Sequence, residues 1–273
     1  MSDLYAVFGN PIAHSRSPAI HTAFARQTGQ DMRYEARLVA LDRFREAVTE
    51  FAAAGGRGAN VTLPFKEQAC ALADRRSARA EAAGAANTLV FTADGIAADN
   101  TDGVGLLRDL TDRLHCPLAG RRLLLAGAGG AARGVLLPLL EARPEMLVIA
   151  NRNAVRAHTL AAAFAGHGPV SGCGYPDLAG RFDVVINATS ASLADAGIPL
   201  RPEHYAADSL AYDMAYGKGM TPFLATARAA GARVADGLGM LVEQAAASFL
   251  LWRGVRPDTA PVYARLRLDL PAP

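Results

Sequence analysis

Leu123-Leu124-Leu125-Ala126 runs straight into Gly127-Ala128-Gly129-Gly130-Ala131-Ala132, and no other stretch of the 273 residues restricts the fold as tightly. The pattern is G-x-G-x-x-A, behind an apolar strand and ahead of a helical apolar pattern. Gly127 permits a tight turn, Gly129 lets backbone approach a pyrophosphate, and the small Ala132 lets the helix pack close to the strand. The amides of the helix start then face phosphate. In this setting the segment predicts a dinucleotide-binding βαβ unit. A glycine-rich packing turn is the plain alternative.

Further strands are expected at 121–126, 146–150, 183–187, 209–214 and 233–236, with helical segments between most of them. A βαβ series of this kind implies a parallel, doubly wound sheet. It begins near Asp102. The earlier part of the chain predicts a strand at 5–8 and a helix from Ser17-Pro18 to Gly29, with Ser17 as its N-cap. It also predicts a strand at 58–63 halted by Pro64, a helix opening at Phe65-Lys66-Glu67, and a hairpin over 87–99. After Gly237-Leu238-Gly239 comes one long apolar helix, 240 to about 252, that leaves the sheet and returns to the first unit. The expected fold is α/β: a doubly wound parallel-sheet nucleotide domain, 102–237, inserted in a smaller α/β domain, 1–101 plus 238–273.

Hydrophobic residues make up 51% and charged residues 20%, enough apolar material for packed cores, which excludes a disordered chain. A net charge of +2 is no electrostatic footprint for nucleic acid. Three cysteines far apart, and histidines without HxxxH or HExxH spacing, predict neither a disulfide framework nor a metal centre. The start lacks a basic, apolar leader pattern, and the most apolar long window, 123–140, contains Arg133 and Pro138. A cytoplasmic protein with a small-molecule substrate is expected, with neither nucleic acid nor membrane as partner. Of 28 basic residues only Lys66 and Lys218 are lysines, so each invites a question.

The second strand of the βαβ series ends in Asn151-Arg152-Asn153, with Arg156 close behind. A site for NAD usually places Asp or Glu here, on the ribose 2′-hydroxyl; arginines suit the 2′-phosphate of NADP instead. In a chain this rich in arginine the alternative is ordinary surface residues, but the position favours NADP. Ser15 and Ser17 put two hydroxyls at a helix entrance, which fits capping and also an anion or carboxylate site. Lys66 falls on the first turn of a helix, where the dipole disfavours a cation; that suits a group that gives and takes a proton. A solvated surface lysine is the alternative, and Lys218, in a glycine loop, reads as one. Asp99-Asn100-Thr101-Asp102-Gly103 marks the junction of the two units, where two-domain enzymes place a cleft, or is simply a turn.

Over essentially its full length the chain resembles the shikimate dehydrogenases. The resemblance is carried by 5–18, 55–66, 84–89, 99–107, 127–140, 186–190, 212–216 and 235–251. It implies reversible NADPH-dependent reduction of 3-dehydroshikimate to shikimate. It also implies that Ser15 and Ser17 hold the substrate carboxylate, and that Asn60, Thr62, Asn87, Tyr216 and Gln244 contact the carboxylate or ring hydroxyls. Lys66 and Asp102 would be the catalytic pair. Gly127, Ala128, Gly129, Gly130, Ala131 and Ala132 would carry the pyrophosphate. Asn151, Arg152, Asn153 and Arg156 would meet the adenosine phosphate end, and Met214 and Gly237 would border the nicotinamide. The chain departs from the family pattern at Asn153, where Thr is usual, at Ala191-Ser192, where Gly often follows Thr-Ser, and at Ala78, where some members are acidic. Two rival readings are an NAD-linked quinate or quinate/shikimate dehydrogenase and a catalytically silent NADP-binding regulator. A monomer or a homodimer is expected.

Overall fold

The computed structural model describes residues 2–273, in two compact units: Met1–Gly105 with Val242–Val262, and Leu106–Leu241 with Tyr263–Pro273. In the first, chain order is β1 (Asp3–Gly9), α1 (Ser17–Thr28), β2 (Met32–Leu38), α2 (Phe44–Ala53), β3 (Gly56–Val61), α3 (Lys66–Leu72), β4 (Arg75–Arg76), α4 (Ala78–Ala83), β5 (Thr88–Thr92) and β6 (Gly95–Asp99). The sheet order is β2-β1-β3-β5-β6-β4. β1 pairs in parallel with β2 and β3, whereas β3-β5 and β5-β6 are antiparallel, the latter being the expected hairpin. Its core is aromatic: Phe8, Phe44, Phe51 and Phe65 are buried, and Phe44 stacks on Phe65 with ring centroids 4.9 Å apart.

α5 (Asp102–Arg108) leads out of the first unit and continues as one π-helical turn, Asp109–Arg113. The second unit then runs β7 (Arg122–Ala126), α6 (Gly130–Glu141), β8 (Met146–Asn151), α7 (Ala154–Phe164), β9 (Val170–Gly174), β10 (Phe182–Asn187), β11 (Tyr205–Asp213), α8 (Pro222–Ala229) and β12 (Arg233–Asp236). Its sheet is parallel throughout, in the order β12-β11-β10-β7-β8-β9. That is the doubly wound arrangement, with the order reversing between β7 and β10. Leu123, Leu124 and Leu125 are fully buried, as a central strand covered on both faces requires. α9 (Leu238–Arg253) and α10 (Ala260–Leu268) complete the chain.

The division differs from the expected boundaries of 1–101, 102–237 and 238–273. The terminal segment from Tyr263 packs with the nucleotide-type unit, because Arg267 forms an ion pair with buried Asp236 and Arg113 lies 4.4 Å from the Tyr263 ring centre. Three edge strands, β2, β4 and β9, also join the sheets without having been expected. No helix among the described residues is long and apolar enough to cross a membrane.

β9 can lie against α7 only because residue 172 is glycine. A Cβ there would stand 2.4 Å from the backbone carbonyl of Ala157, which cannot move without moving the helix. We expect Gly172→Ala to lower stability by roughly 1–3 kcal/mol, read as a lower urea midpoint. Gly166→Ala, where a Cβ meets nothing within 4 Å, should change it by less than about 0.5 kcal/mol.

Candidate active site

Lys66 opens α3 immediately after Phe65, whose buried ring anchors the start of the helix. Asp102 opens α5, and its backbone N–H donates to the Asn100 side-chain oxygen at 3.1 Å. Lys66 Nζ donates to Asp102 Oδ2 at 2.5 Å. The carboxylate balances the charge that the helix dipole disfavours. The side chains are 28% and 14% exposed, so a small solute can reach the pair. Asn87 Nδ2 donates to Asp102 Oδ1 at 2.8 Å and lies 3.2 Å from Gln244 Oε1. The fold therefore gathers Lys66, Asp102, Asn87 and Gln244 into one cluster.

Behind that cluster lies a buried hydroxyl network. Asn87 Oδ1 accepts from the Thr101 N–H and from the hydroxyls of Thr101 and Thr88. Ser248, fully buried on α9, lies 2.7 Å from the Thr88 hydroxyl and 3.2 Å from that of Thr101. Asn60 Nδ2 donates to Ser248 Oγ and to the Asn87 carbonyl, both at 3.0 Å, while Asn60 Oδ1 accepts from Tyr34 at 2.7 Å. Both polar atoms of the Asn60 side chain are thus committed inward. Tyr34, Thr88 and Ser248 are not among the residues that the sequence points to as a site, and Thr101 is marked there only as part of the 99–103 turn. Thr88 and Thr101 adjoin residues that the sequence does single out, and Ser248 is one helical turn beyond Gln244. Burial pushes the Tyr34 hydroxyl well above the usual tyrosine range, so it stays a donor. His21 stacks on it, centroids 4.2 Å apart, and burial pushes the imidazole down to about 3, so it is neutral.

Ser17 is the first residue of α1 and is not its N-cap; Arg16 holds that position without a side-chain cap bond. The local bond comes instead from Ser15, whose hydroxyl accepts from the Ser17 N–H at 3.3 Å. Proline fits either of the first two helical positions, since neither N–H has an intrahelical partner, so Pro18 did not fix the phase. Ser17 is buried, and Ser15 and Thr62 are half-buried. Thr62 crowds the end of β1: a Cβ on Gly9 would stand 2.5 Å from its methyl group. Among the described residues no hydrogen bond runs directly from Ser15, Ser17 or Thr62 to Lys66 or Asp102.

In the other unit, Gly127 has φ +113°, and a Cβ on it would lie 3.2 Å from the Ala188 carbonyl. Gly129 and Gly130 are exposed, and a Cβ on either would project into open space. α6 starts at Gly130, so its first amides face that space, with Ala128 and Ala131 at the rim and Ala132 buried beneath. The cradle fits a pyrophosphate. At the end of β8, Asn153 caps α7 by accepting from the Arg156 N–H at 3.2 Å, and Asn151 donates to the Asn153 carbonyl. Arg152 and Arg156 are exposed and, among the described residues, in no ion pair, a fit to a phosphate. Gly237 is required by close approach, since a Cβ would stand 2.3 Å from the Met214 carbonyl oxygen. Tyr216 follows on the same segment, half-buried. Ser192 is fully buried and bonded to Asp213, whereas Ala78 is exposed.

A parallel six-stranded sheet with an open glycine turn and uncommitted arginines beside it, in one chain with a lysine–carboxylate pair, defines a pyridine-nucleotide oxidoreductase built of two α/β units. Family models match three parts of the chain: shikimate dehydrogenase substrate binding domain at 7–89, shikimate / quinate 5-dehydrogenase at 109–195, and shikimate 5'-dehydrogenase C-terminal domain at 237–267. A relative from Aromatoleum aromaticum named shikimate dehydrogenase (NADP(+)) is 65% identical over 98% of both chains. Two solved structures superpose closely. The Ael1 enzyme from Pseudomonas putida gives a TM-score of 0.93 at 50% identity, covering 100% of this chain and 99% of that one. Shikimate 5-dehydrogenase from Thermus thermophilus, solved with NADP(H) and shikimate, gives 0.87 at 35%, covering 98% and 100%. The chain belongs to the shikimate dehydrogenase family.

The neutral, buried His21 has a consequence for acid stability. Its pKa is lowered in the folded state, so as pH falls from about 6.5 towards about 3 the unfolded chain gains a proton that the folded chain refuses. Stability from this residue is complete above that window and is lost within it. Relative to His21→Phe, which keeps a stacked ring, the wild type should lose up to ~1.4 kcal/mol per pH unit there. Urea unfolding of both proteins at several pH values checks it; parallel curves would remove His21 as the cause.

Proposed function

We propose that this chain catalyses the reversible NADPH-dependent reduction of 3-dehydroshikimate to shikimate, with Lys66 and Asp102 as its catalytic pair. The observation that carries the reading is the 2.5 Å bond from Lys66 Nζ to Asp102 Oδ2, buttressed by Asn87 and still open to solvent. NADPH, when bound, supplies the hydride to the ketone carbon. Lys66 Nζ gives its proton to the ketone oxygen, so the carbonyl gains one hydride and one proton and leaves as the alcohol. In the reverse direction neutral Lys66 takes that proton back. Asp102 fixes the ammonium through one of its protons and leaves the others for the reacting oxygen.

Ser15 and Ser17 hold the substrate carboxylate. Thr62, Asn87, Gln244 and Tyr216 bind its other oxygens, and Asn60, committed inward, keeps Asn87 and Ser248 in place. The Gly127–Ala132 turn carries the pyrophosphate, Arg152 and Arg156 take the 2′-phosphate, Asn151 and Asn153 shape that corner, and Met214 and Gly237 border the nicotinamide. The alignment of donor and acceptor is the protein's contribution; the hydride chemistry belongs to the cofactor.

Initial rates with shikimate and quinate, each with NADP and NAD, test the reading directly. Shikimate with NADP should dominate. A preference for quinate with NAD would install the rival dehydrogenase, and no rate with any pair would leave a silent nucleotide-binding protein. Lys66→Arg separates proton transfer from mere charge, because a guanidinium stays protonated at working pH. We expect kcat to fall by at least about 10²-fold, since general acid–base catalysis contributes ~10²–10⁴. Near wild-type kcat would transfer that role to Asp102. Arg152→Asp should raise KM for NADP at least about tenfold and spare NAD, since a charge-assisted bond to phosphate contributes roughly 1.5–3 kcal/mol. Equal losses for the two cofactors would make Arg152 structural.

A further inference from the structure

The second unit buries a carboxylate that the chemistry above does not use. Asp213, at the carboxyl end of β11, is fully buried, and among the described residues no cation pairs with it. It is held by donors alone. Its Oδ2 accepts from the Ser192 hydroxyl at 2.5 Å and the Thr221 hydroxyl at 2.8 Å, and its Oδ1 from the Ala215 N–H at 3.1 Å and Asn187 Nδ2 at 3.3 Å. Asn187 sits directly opposite Asp213 in the β10-β11 register. Its amide also donates to Ser192 Oγ, and its side-chain oxygen accepts from the N–H and hydroxyl of Thr189. An unpaired carboxylate is expensive to bury, so a position that retains one does something that an apolar residue cannot. Here it ties together the two loops that follow β10 and β11.

The sheet order says what those loops flank. In a doubly wound sheet the ligand lies outside the carboxyl ends of the strands, at the switch point, here between β7 and β10. The pyrophosphate turn follows β7, and the arginines suited to the adenosine phosphate follow β8, on one side of it. The other half of a dinucleotide must then extend over the ends of β10 and β11, on the opposite side. The turn and these loops are in contact: a Cβ on Gly127 would lie 3.2 Å from both Ala188 and Thr189, and the Met214 N–H donates to the Asn187 carbonyl at 3.0 Å.

We propose that Asp213 and Ser192 are positioning residues for the nicotinamide half of the cofactor, the buried carboxylate clamping the 188–192 and 214–221 loops around it. Neither side chain touches the reacting atoms; each acts through the backbone of Met214 and Ala215 and through Thr189. Ser192, which stands where a Gly often follows Thr-Ser in the family pattern, then joins the two loops through Asp213 and Asn187. The inference rests on the reading of the chain as an NADP-dependent dehydrogenase.

The test uses the full-length enzyme and Ser192→Ala, which removes one hydroxyl and nothing else. Affinities for NADPH and for 2′-phospho-ADP-ribose, which lacks the nicotinamide, are measured without turnover. With a positioning role, the preference for NADPH over the truncated ligand shrinks several-fold while affinity for the truncated ligand stays within about twofold. In turnover with 3-dehydroshikimate, kcat falls roughly tenfold, as expected for losing one bond to a charged group, and the isotope effect from 4-deuterated NADPH rises as hydride transfer becomes limiting. An unchanged ligand preference together with an unchanged isotope effect in folded Ser192→Ala would overturn the proposal. So would equal weakening of both ligands, which marks a merely structural bond. Asp213→Asn should show the larger effect of the same kind; should it not fold, Ser192→Ala decides alone. A wild type inactive on 3-dehydroshikimate would refute the substrate assignment, while the two affinities would still decide the clamp.

Discussion

The first unit is organised around Asn87. Its carbonyl accepts from the Val61 N–H and its own N–H donates to the Asp99 carbonyl, so the backbone at this residue joins β3 to the end of β6. Its side chain then holds Asp102 on one side and Thr101 and Thr88 on the other. Strand pairing and the setting of the Asp102 carboxylate therefore share one residue. A buried amide makes this possible because it donates and accepts at once, so it can satisfy a carboxylate and a backbone N–H in a single geometry. Replacing it by a group of only one polarity would leave a buried partner unsatisfied, which costs more than the lost bond itself.

The same device appears in the second unit with a different outcome. There the amide of Asn187 faces the carboxylate of Asp213 at the ends of adjacent parallel strands. Both networks sit where strands stop and chain direction changes, and both bury polar groups that a simpler core would avoid. Such networks rigidify only when every member is partnered. The hydroxyls of Thr88, Thr101 and Ser248, and of Ser192 and Thr221, supply those partners by rotating to donate or accept as needed. The units differ in what lies in front. In the first, the network ends in an ammonium open to solvent; in the second, it ends in the backbone of Met214 and Ala215.

Features written in backbone conformation were legible from the sequence, and those that depend on long-range partners were not. The glycine turn could be read because Gly127 needs a left-handed φ and Gly129 needs open space, and both demands are local. The hairpin at Asp94-Gly95 could be read for the same reason. The N-cap of α1 could not: Ser15 and Ser17 are both good caps, and a two-residue difference in phase is invisible until the helix packs. β2 is an edge strand that alternates Arg33, Glu35 and Arg37 with Met32, Tyr34, Ala36 and Leu38 and buries none of them fully, and β9 is short and glycine-containing, so neither offers a strong apolar run. Lys66 and Asp102 could be singled out separately, but their 2.5 Å contact depends on the fold. Ser248 lies in an apolar helix with no periodic signal of its own, and only the hydroxyls from β5 and Thr101 give it meaning. The grouping of the segment from Tyr263 with the second unit is not legible locally, because the Arg267–Asp236 pair spans distant parts of the sequence.

The distribution of basic residues separates charge used for architecture from charge used for chemistry. Where this chain needs a permanent ion pair, it uses arginine: Arg79 on Asp99, Arg113 on Asp109, Arg253 on Asp3, Arg256 on Glu243 and Arg267 on Asp236. The guanidinium is planar, presents several donors in a fixed fork and does not release a proton, which suits a partly buried clamp. Lys66 makes the only lysine ion pair among the described residues. Its ammonium has no fork to offer, and nothing about Asp102 would prevent an arginine from pairing with it. What lysine has and arginine lacks is a proton that can leave at ordinary pH from a compact, rotatable head. A chain that writes arginine at 26 of its 28 basic positions, and lysine in this ion pair, therefore places here the residue type that the proposed proton transfer requires.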